Sequence, residues 1–462
     1  MADRAQNEDF SKKKRGLFGR SRFSLYLCAA LTGASVYINE TKHHSAATEM
    51  TDFLSQYPVW LLAAFGVFAV AWLAALAVWL GVYLPPAVRA RREAGRQARG
   101  LEAGASPQAT APHVSVVVYA HNQADALLRN LPLIFGQDYP VFDVIVVDDN
   151  SCDETADVMA MMGQRHDHLH HIHIREGVRN ISRRRLAMTL GVKAAQGDVV
   201  LMTMAQCAPA SRRWIAEVAA RFVAGADFVL APVAYGRRVG FAARFCAYDL
   251  FQRQQALFGL THALGPYAAW GTNMAFRRDL FFADGSRAFL RHLRLRPGAD
   301  DLFVREAAPG RRVAVACAAD ALVEDQSAPL VEAWRRERLT RAFTSLCYPL
   351  RPRLVRALEL ATRWLVVLPG LALTAYGAWR LASAPAPGAV PALWALTGTA
   401  AGMLLLYWLC VVLCGTALSR ALGLRPFVWA PLGYGLLTPP VALGYRLAAL
   451  CRRRQFYVGY ND

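Results

Sequence analysis

The chain has 462 residues, 55% of them hydrophobic, and a net charge of +18 from 52 Lys and Arg against 34 Asp and Glu. A mean hydropathy of +0.21 is too apolar for a purely soluble chain and points to a membrane protein. The basic excess does not indicate nucleic acid: the Lys and Arg flank apolar spans, and no aromatic-basic motif accompanies them. Positive-inside topology and attraction to anionic lipid account for it. Nine Cys are scattered without a CxxC, so neither a zinc site nor a disulfide framework is indicated, which suits a cytoplasmic domain.

Residues 1–22 are a basic tail, with six Lys or Arg between Lys12 and Arg22. Residues 23–38 are apolar and short, a possible membrane helix or an interfacial one. Residues 59–84 carry no charge and, as a helix, span ~39 Å, enough for a bilayer core. Pro85-Pro86 ends this span. A basic linker, 85–111, follows with Arg89, Arg91, Arg92, Arg96 and Arg99, which places its side of the membrane in the cytoplasm.

The soluble domain is expected over 112–345. It opens with VSVVVYAHNQ, a helix-like ADALLRNLPLIFGQDYP, and then VFDVIVVDDNS. Two β-branched runs around one amphipathic segment read as the first β-α-β unit of a mostly parallel sheet. Both runs end in polar residues, where parallel sheets bind ligands. Alternation continues: helix at ADVMAMMGQ, strand at HHIHIR, helix at LAMTLGVKAA, strand at DVVLMTM, helix at SRRWIAEVAARF, strand at DFVLAPV. In RHDHLHHIHI, His168 and His170 would share one strand face and His171 and His173 the other, which splits any metal cluster. Residues 240–263 read as an amphipathic helix able to rest on the membrane surface. Three more apolar segments follow, 362–379, 391–414 and 427–447. The third contains Gly433, Gly435 and Pro439-Pro440 and is either transmembrane or re-entrant. A basic tail, 448–462, closes the chain.

The domain resembles a membrane-anchored bacterial family 2 glycosyltransferase with a GT-A fold. SVVVYAHNQ, Gln137-Asp138-Tyr139-Pro140, VIVVDDNSCDET, RRRLAMTLGVKAAQGDVVLMT, CAPASRRWI, YAAWGTNMAFRRDLF and PGADDLFV follow the family's blocks in order. The resemblance implies an α/β domain binding a nucleotide-diphospho-sugar. Asp149 would accept from the base, beside Asp148, with Ala120 and Asn122 lining the pocket. Arg184 and Arg185 would lie near the diphosphate. Asp300 would be the catalytic base, with Asp301 adjacent. Trp270, Gly271 and Asn273 would lie near the donor sugar or acceptor, and Glu337 and Arg338 fall where the family has Gln and a basic residue. Gln123 replaces the usual acidic residue after Asn122. The family's Asp-x-Asp metal motif is replaced by Met204-Ala205-Gln206, so no metal ligand is assigned. Mg²⁺ or Mn²⁺ would lack its usual carboxylates, and Gln206 offers one neutral oxygen.

Two functions stay open on these residues. One is inverting transfer of a sugar from a nucleotide-diphospho-sugar to a lipid-linked or cell-surface glycan, at the bacterial inner membrane with the domain facing the cytoplasm. The other is a catalytically inactive scaffold or regulatory subunit in an envelope polysaccharide machine, partnered by other envelope-biosynthesis proteins. A transporter is disfavoured, because the spans are few and carry almost no charge.

Overall fold

A computed structural model describes residues 58–98, 111–175, 182–236, 239–283, 292, 295–383, 385 and 390–457. The tail 1–22, the apolar run 23–38 and the linker residues 99–110 lie outside the described residues.

Helix α1, Val59–Val78, continues through a π-helical turn at Trp79–Tyr83 into α2, Leu84–Ala98. The helix therefore runs on past Pro85-Pro86, and residues expected as linker are helical to Ala98. The reason is local. Prolines have no N–H to give to the carbonyls one turn back, and their rings need room there. The π turn directly ahead of them supplies it. The carbonyl of Val82 lies where a Cβ on Gly259 would come within 2.6 Å, so only glycine lets that neighbouring helix approach.

The strands of the chain's central part form a seven-stranded sheet of order β3-β2-β1-β4-β8-β6-β9. Strand β1 is Val114–Ala120, β2 Phe142–Asp148, β3 Leu169–His173 and β4 Val199–Met204. These four are parallel, and β1 lies between β2 and β4. Its residues are buried on both faces except half-buried Tyr119, as expected for a β-branched run under helices. Helices α3 (Ala124–Phe135), α4 (Thr155–Gly163), α5 (Arg183–Ala194) and α6 (Trp214–Val223) alternate with the strands. Strand β6 is Phe228–Leu230, β8 Met274–Arg277 and β9 Val313–Val315. β8 enters antiparallel between β4 and β6. A second sheet pairs β10 (Val323–Asp325) with β5 (Cys207–Pro209) and β7 (Val233–Tyr235). The fold class is thus the expected α/β type with a mostly parallel sheet, accompanied by helices apolar enough to span a membrane.

Helix α7, Phe241–Leu264, is not the surface amphipathic helix expected of 240–263. Its residues 248–261 are buried on every side. Polar side chains enclosed there are paired: Arg253 with Asp249 at 3.0 Å, and Gln252 with Tyr248. Helix α8, Asp301–Ala307, and helix α9, Leu330–Thr344, bring the last site residues. Helices α10 (Leu350–Ala382) and α11 (Val390–Ala421) pack against each other. With Val59–Arg92 they are the three helices, among the described residues, long and apolar enough to cross a membrane. Helix α12, Ala430–Cys451, is not among the three. It is unbroken at Pro439-Pro440, so a re-entrant turn does not occur there.

Candidate functional site

The loops after β1 and β2 zip together before they form a pocket. The Asp149 N–H donates to the Ala120 carbonyl at 2.9 Å. Asn122 takes a left-handed backbone, φ +52°, and its side-chain oxygen accepts from the Cys152 N–H at 2.7 Å. Asn tolerates that conformation better than a branched residue would. Asn150 does the same at φ +57°. The Ser151 N–H donates to buried Asp148 at 3.0 Å, and His173 Nδ1 stands 2.8 Å from its other oxygen. Burial would raise the Asp148 carboxyl, but the Ser151 and His173 contacts outweigh it and hold it below the ordinary value. Asp148 is therefore occupied structurally. His171 and His173 share a face, as expected, and that face is turned to Asp148.

Asp149 holds the more open position. Tyr119 Oη donates to one of its oxygens at 2.7 Å, and Arg183 Nε to the other at 2.6 Å. Two accepted bonds leave room on a carboxylate for a further donor. Burial, then Asp149, push the Tyr119 phenol well up, so it stays a donor. Arg183 Nη2 is buried with no hydrogen-bond acceptor among the described residues. An unpaired buried guanidinium nitrogen is costly unless something occupies it.

Asp300 ends the adjoining side. It is 4% exposed, and the Gly271 N–H donates to its Oδ2 at 2.5 Å. A Cβ at Gly271 would lie 3.0 Å from the Asp300 Cβ, so a larger residue there would press on the Asp300 side chain. Arg341 Nη2 donates to the same oxygen at 2.9 Å, and Arg184 Nη2 stands 3.8 Å away. Burial would raise the Asp300 carboxyl, but Arg341 and Arg184 outweigh it and hold it far below the usual carboxylate range. Asp301 is fully buried, accepts from Tyr348 Oη at 2.6 Å and lies 3.4 Å from Arg341 Nη1. Arg184 also stands over Tyr119, 5.9 Å from the ring centre. The first turn of α5 thus sends Arg183 to Asp149 and Arg184 to Asp300. Its dipole adds positive character at the same place.

Several residues singled out in the sequence have other partners. Arg185 is fully buried and donates to the carbonyls of Leu295 and Gly298, at 3.4 and 2.7 Å, which fixes the strap leading to Asp300. Asn273 is buried. It donates to the Pro232 and Ala321 carbonyls and accepts from Trp214 Nε1, so it is a fold-building residue. Glu337 receives Arg253 through two bonds, at 3.0 and 2.9 Å. Arg338 lies 3.2 Å from buried Asp249. Ala120 is wholly buried, with its carbonyl taken by Asp149. Trp270 is largely buried, with Arg253 and Arg341 5.5 and 5.7 Å from its ring centre. Sequence reasoning passed over Arg183, Arg341, Tyr119 and Tyr348. The first opens the run of three arginines, and Glu337 to Arg341 has the i, i+4 spacing of an ion pair, here 3.8 Å.

The strand end at Met204-Ala205-Gln206 does not suit a hard divalent cation. Gln206 Oε1 accepts from Gln123 at 3.0 Å, and its amide faces Met204 Sδ at 3.2 Å. Thioether and amide are neutral and, for Mg²⁺ or Mn²⁺, poor donors. Among the described residues no group of three His, Cys, Asp or Glu is placed to hold a metal ion.

The sequence model of glycosyl transferase family 2 matches residues 115–282, which covers nearly all of β1 through β8, including the acidic end of β2 and Arg183 to Arg185, and stops short of Asp300. No curated protein matches the chain. Among solved structures, a mannosyltransferase from Pyrobaculum calidifontis in complex with GDP-Man and Mn²⁺ is similar at 20% identity. It covers 83% of this chain and 99% of its own, with a TM-score of 0.45. Staphylococcus aureus TarS 1–349 is similar at 16% identity over 73% of this chain and 92% of its own, with a TM-score of 0.35. Glucosyl-3-phosphoglycerate synthase from Mycobacterium tuberculosis, in complex with Mn²⁺ and UDP-glucose, is similar at 17% identity. It covers 50% of this chain and 77% of its own, with a TM-score of 0.32.

Proposed function

We propose that the domain at 112–345 transfers a sugar from a nucleotide-diphospho-sugar to a lipid-linked or cell-surface glycan acceptor, at a membrane and on its cytoplasmic side. The observation that carries the reading is the pair Arg183 and Arg184. They stand on consecutive residues at a helix N-terminus, between two buried carboxylates, within a segment that matches glycosyl transferase family 2. A base donating to Asp149 leaves its diphosphate beside this turn, where the unpaired Arg183 Nη2 supplies a donor.

The chemistry assigned to this chain's own residues is limited and specific. Asp300 takes the proton of the attacking hydroxyl. Held by Arg341, it is a weak base. Contact between Arg341 and the departing diphosphate strengthens that base and stabilises the leaving charge together. Guanidinium suits the task because it stays charged and presents a planar fork to two phosphate oxygens. No step is assigned to a metal, since the donor set at Met204-Ala205-Gln206 does not fit one.

The test is calorimetric titration of the full chain in detergent with UDP- and GDP-sugars, with and without EDTA. Binding to wild-type, lost in Arg183→Ala and retained in Asp300→Asn, is the expected outcome. The Asp300→Asn variant, which keeps the side chain's shape, should lack transfer. Binding without transfer in wild-type would favour the inactive scaffold, a reading that the locked state of Asp300 also fits. Failure to bind any nucleotide sugar would overturn the proposal.

A further inference from the structure

Behind Trp270, away from the strand ends, a cavity of about 120 Å³ opens between α7, α9, α10 and α12. Its cationic wall is formed by Arg338, Arg353, Arg356 and Arg446, and its apolar wall includes Leu257 and Leu360. The positive charge here is under-compensated. Arg356 pairs with Glu359 at 2.6 Å, but Glu359 also serves Arg363. Among the described residues, Arg353 makes one hydrogen bond, to the Leu346 carbonyl at 3.3 Å, and no ion pair. Arg446 has no ion pair or hydrogen bond among the described residues. Arg338, 8% exposed, pairs with Asp249 at 3.2 Å, a carboxylate shared with Arg253, and its Nε has no hydrogen-bond acceptor among the described residues. Arg353, Arg356 and Arg446 are half-buried, and an anion bound among these cations would relieve their mutual repulsion and satisfy the buried donor.

The position decides which anion. Arg353 and Arg356 occupy the first two turns of α10. The uncharged stretch 364–379 of the same helix follows, and this helix is one of the three able to cross a membrane. A ligand with a phosphate among the arginines would have its tail beside Leu257 and Leu360 and the apolar helices. The far wall is formed by Arg341 and Tyr348, which also contact Asp300 at 2.9 Å and Asp301 at 2.6 Å. We infer that this cavity is a binding site for the phosphate headgroup of a membrane lipid, held by Arg338, Arg353, Arg356 and Arg446. Such a headgroup lies one side chain from Asp300. It rests on the transferase reading only for the further role of acceptor.

The probe is dodecyl phosphate, with dodecanol and inorganic phosphate as controls, titrated against the full chain in neutral detergent and read by tryptophan fluorescence. Dodecyl phosphate should bind, dodecanol should not, and inorganic phosphate should bind at least tenfold more weakly. Arg446→Ala and Arg353→Ala should each weaken dodecyl phosphate binding about tenfold or more, and Arg446→Lys should recover most of it. Nucleotide-sugar binding measured on the same variants should not change, which separates this site from the Asp149 site. Equal binding of dodecyl phosphate by wild-type and both alanine variants would overturn the inference, as would dodecanol binding as tightly. Inorganic phosphate binding as tightly as dodecyl phosphate would mark a soluble-anion site and overturn the assignment to lipid. Should the alanine variants unfold, Arg446→Gln, uncharged but of similar length, gives the same comparison.

Discussion

Removing Arg341 perturbs the site most informatively. Its guanidinium lies 2.9 Å from Asp300 and 3.4 Å from Asp301, and all three side chains are at most 13% exposed. Breaking a buried pair by deleting one partner costs about 3–5 kcal/mol when the other charge is left alone. Here neither carboxylate is left alone. Asp300 keeps the Gly271 N–H and a distant Arg184, and Asp301 keeps Tyr348 and the Leu302 N–H. The expected loss for Arg341→Ala therefore falls to about 2–3 kcal/mol, which lowers the unfolding midpoint of a domain this size by roughly 4–12 °C. The same variant removes the largest influence holding the Asp300 carboxyl down, so the carboxyl titrates at higher pH. If Asp300 is the base, the acid limb of the pH–rate profile must move to higher pH in Arg341→Ala, and Arg341→Lys must restore most of its position. Thermal unfolding followed by circular dichroism, and initial rates across pH 4–8, measure both effects. An unchanged midpoint would show that the ion pair contributes nothing net. An unmoved acid limb in an active variant would remove Asp300 from the base role.

Three further outcomes follow from the same geometry. Asp149→Ala should weaken nucleotide-sugar binding by about 1–3 kcal/mol through a lost charge-assisted hydrogen bond, read by calorimetry; unchanged binding in a folded variant would take Asp149 out of the site. Arg184→Ala should lower transfer at nearly unchanged stability, whereas Arg185→Ala should lower stability first, because its carbonyl partners lie in the strap before Asp300; the reverse order in melting and rate measurements would refute the division. A cysteine placed in the 100–110 linker should resist a membrane-impermeant thiol reagent in intact cells, and labelling there would reverse the cytoplasmic assignment.

The sheet was legible because its signals are local. Residues 114–120 and 142–148 are β-branched runs of strand length, and burial on both faces leaves them no other reading. The polar strand ends were legible for the same reason. What could not be read were contacts between distant segments. Whether Arg183, Arg184 or Arg185 meets a ligand depends on the rotation of one helix, and the sequence gives three identical side chains in a row. Arg341 reaches Asp300 across 41 positions, and the local hint, Glu337 four residues earlier, indicates only a helical pair. Residues 240–263 misled because their polar side chains suggested a solvent face. In fact Asp249, Arg253 and Glu337 satisfy one another inside the protein. Pro85-Pro86 misled because the rule for prolines assumes a regular α-helix, and here a π turn precedes them.

The replaced metal motif gives the sharpest test of how charge is handled. Met204 is 8% exposed at the end of β4 and, with Arg184 and Asp300, lines one small cavity. Gln206 is tied to Gln123. Wild-type therefore presents at this cavity one carboxylate, Asp300, already held by Arg341 and Arg184, where a divalent ion would need several free oxygen ligands. Transfer by wild-type should proceed in EDTA at the rate found in Mn²⁺, because transition-state charge falls on Arg184, Arg183 and Arg341. Converting Met204→Asp and Gln206→Asp together adds two carboxylates beside Arg184. They attract the guanidinium away from the phosphate and, without metal, repel the donor. The double variant should lose activity in EDTA and regain it in Mn²⁺, with initial rate as the readout. A wild-type rate that collapses in EDTA and returns with Mn²⁺ would refute the arginine mechanism outright. An inactive wild-type whose double variant gains Mn²⁺-dependent transfer would instead identify a domain that kept its pocket after losing its metal ligands.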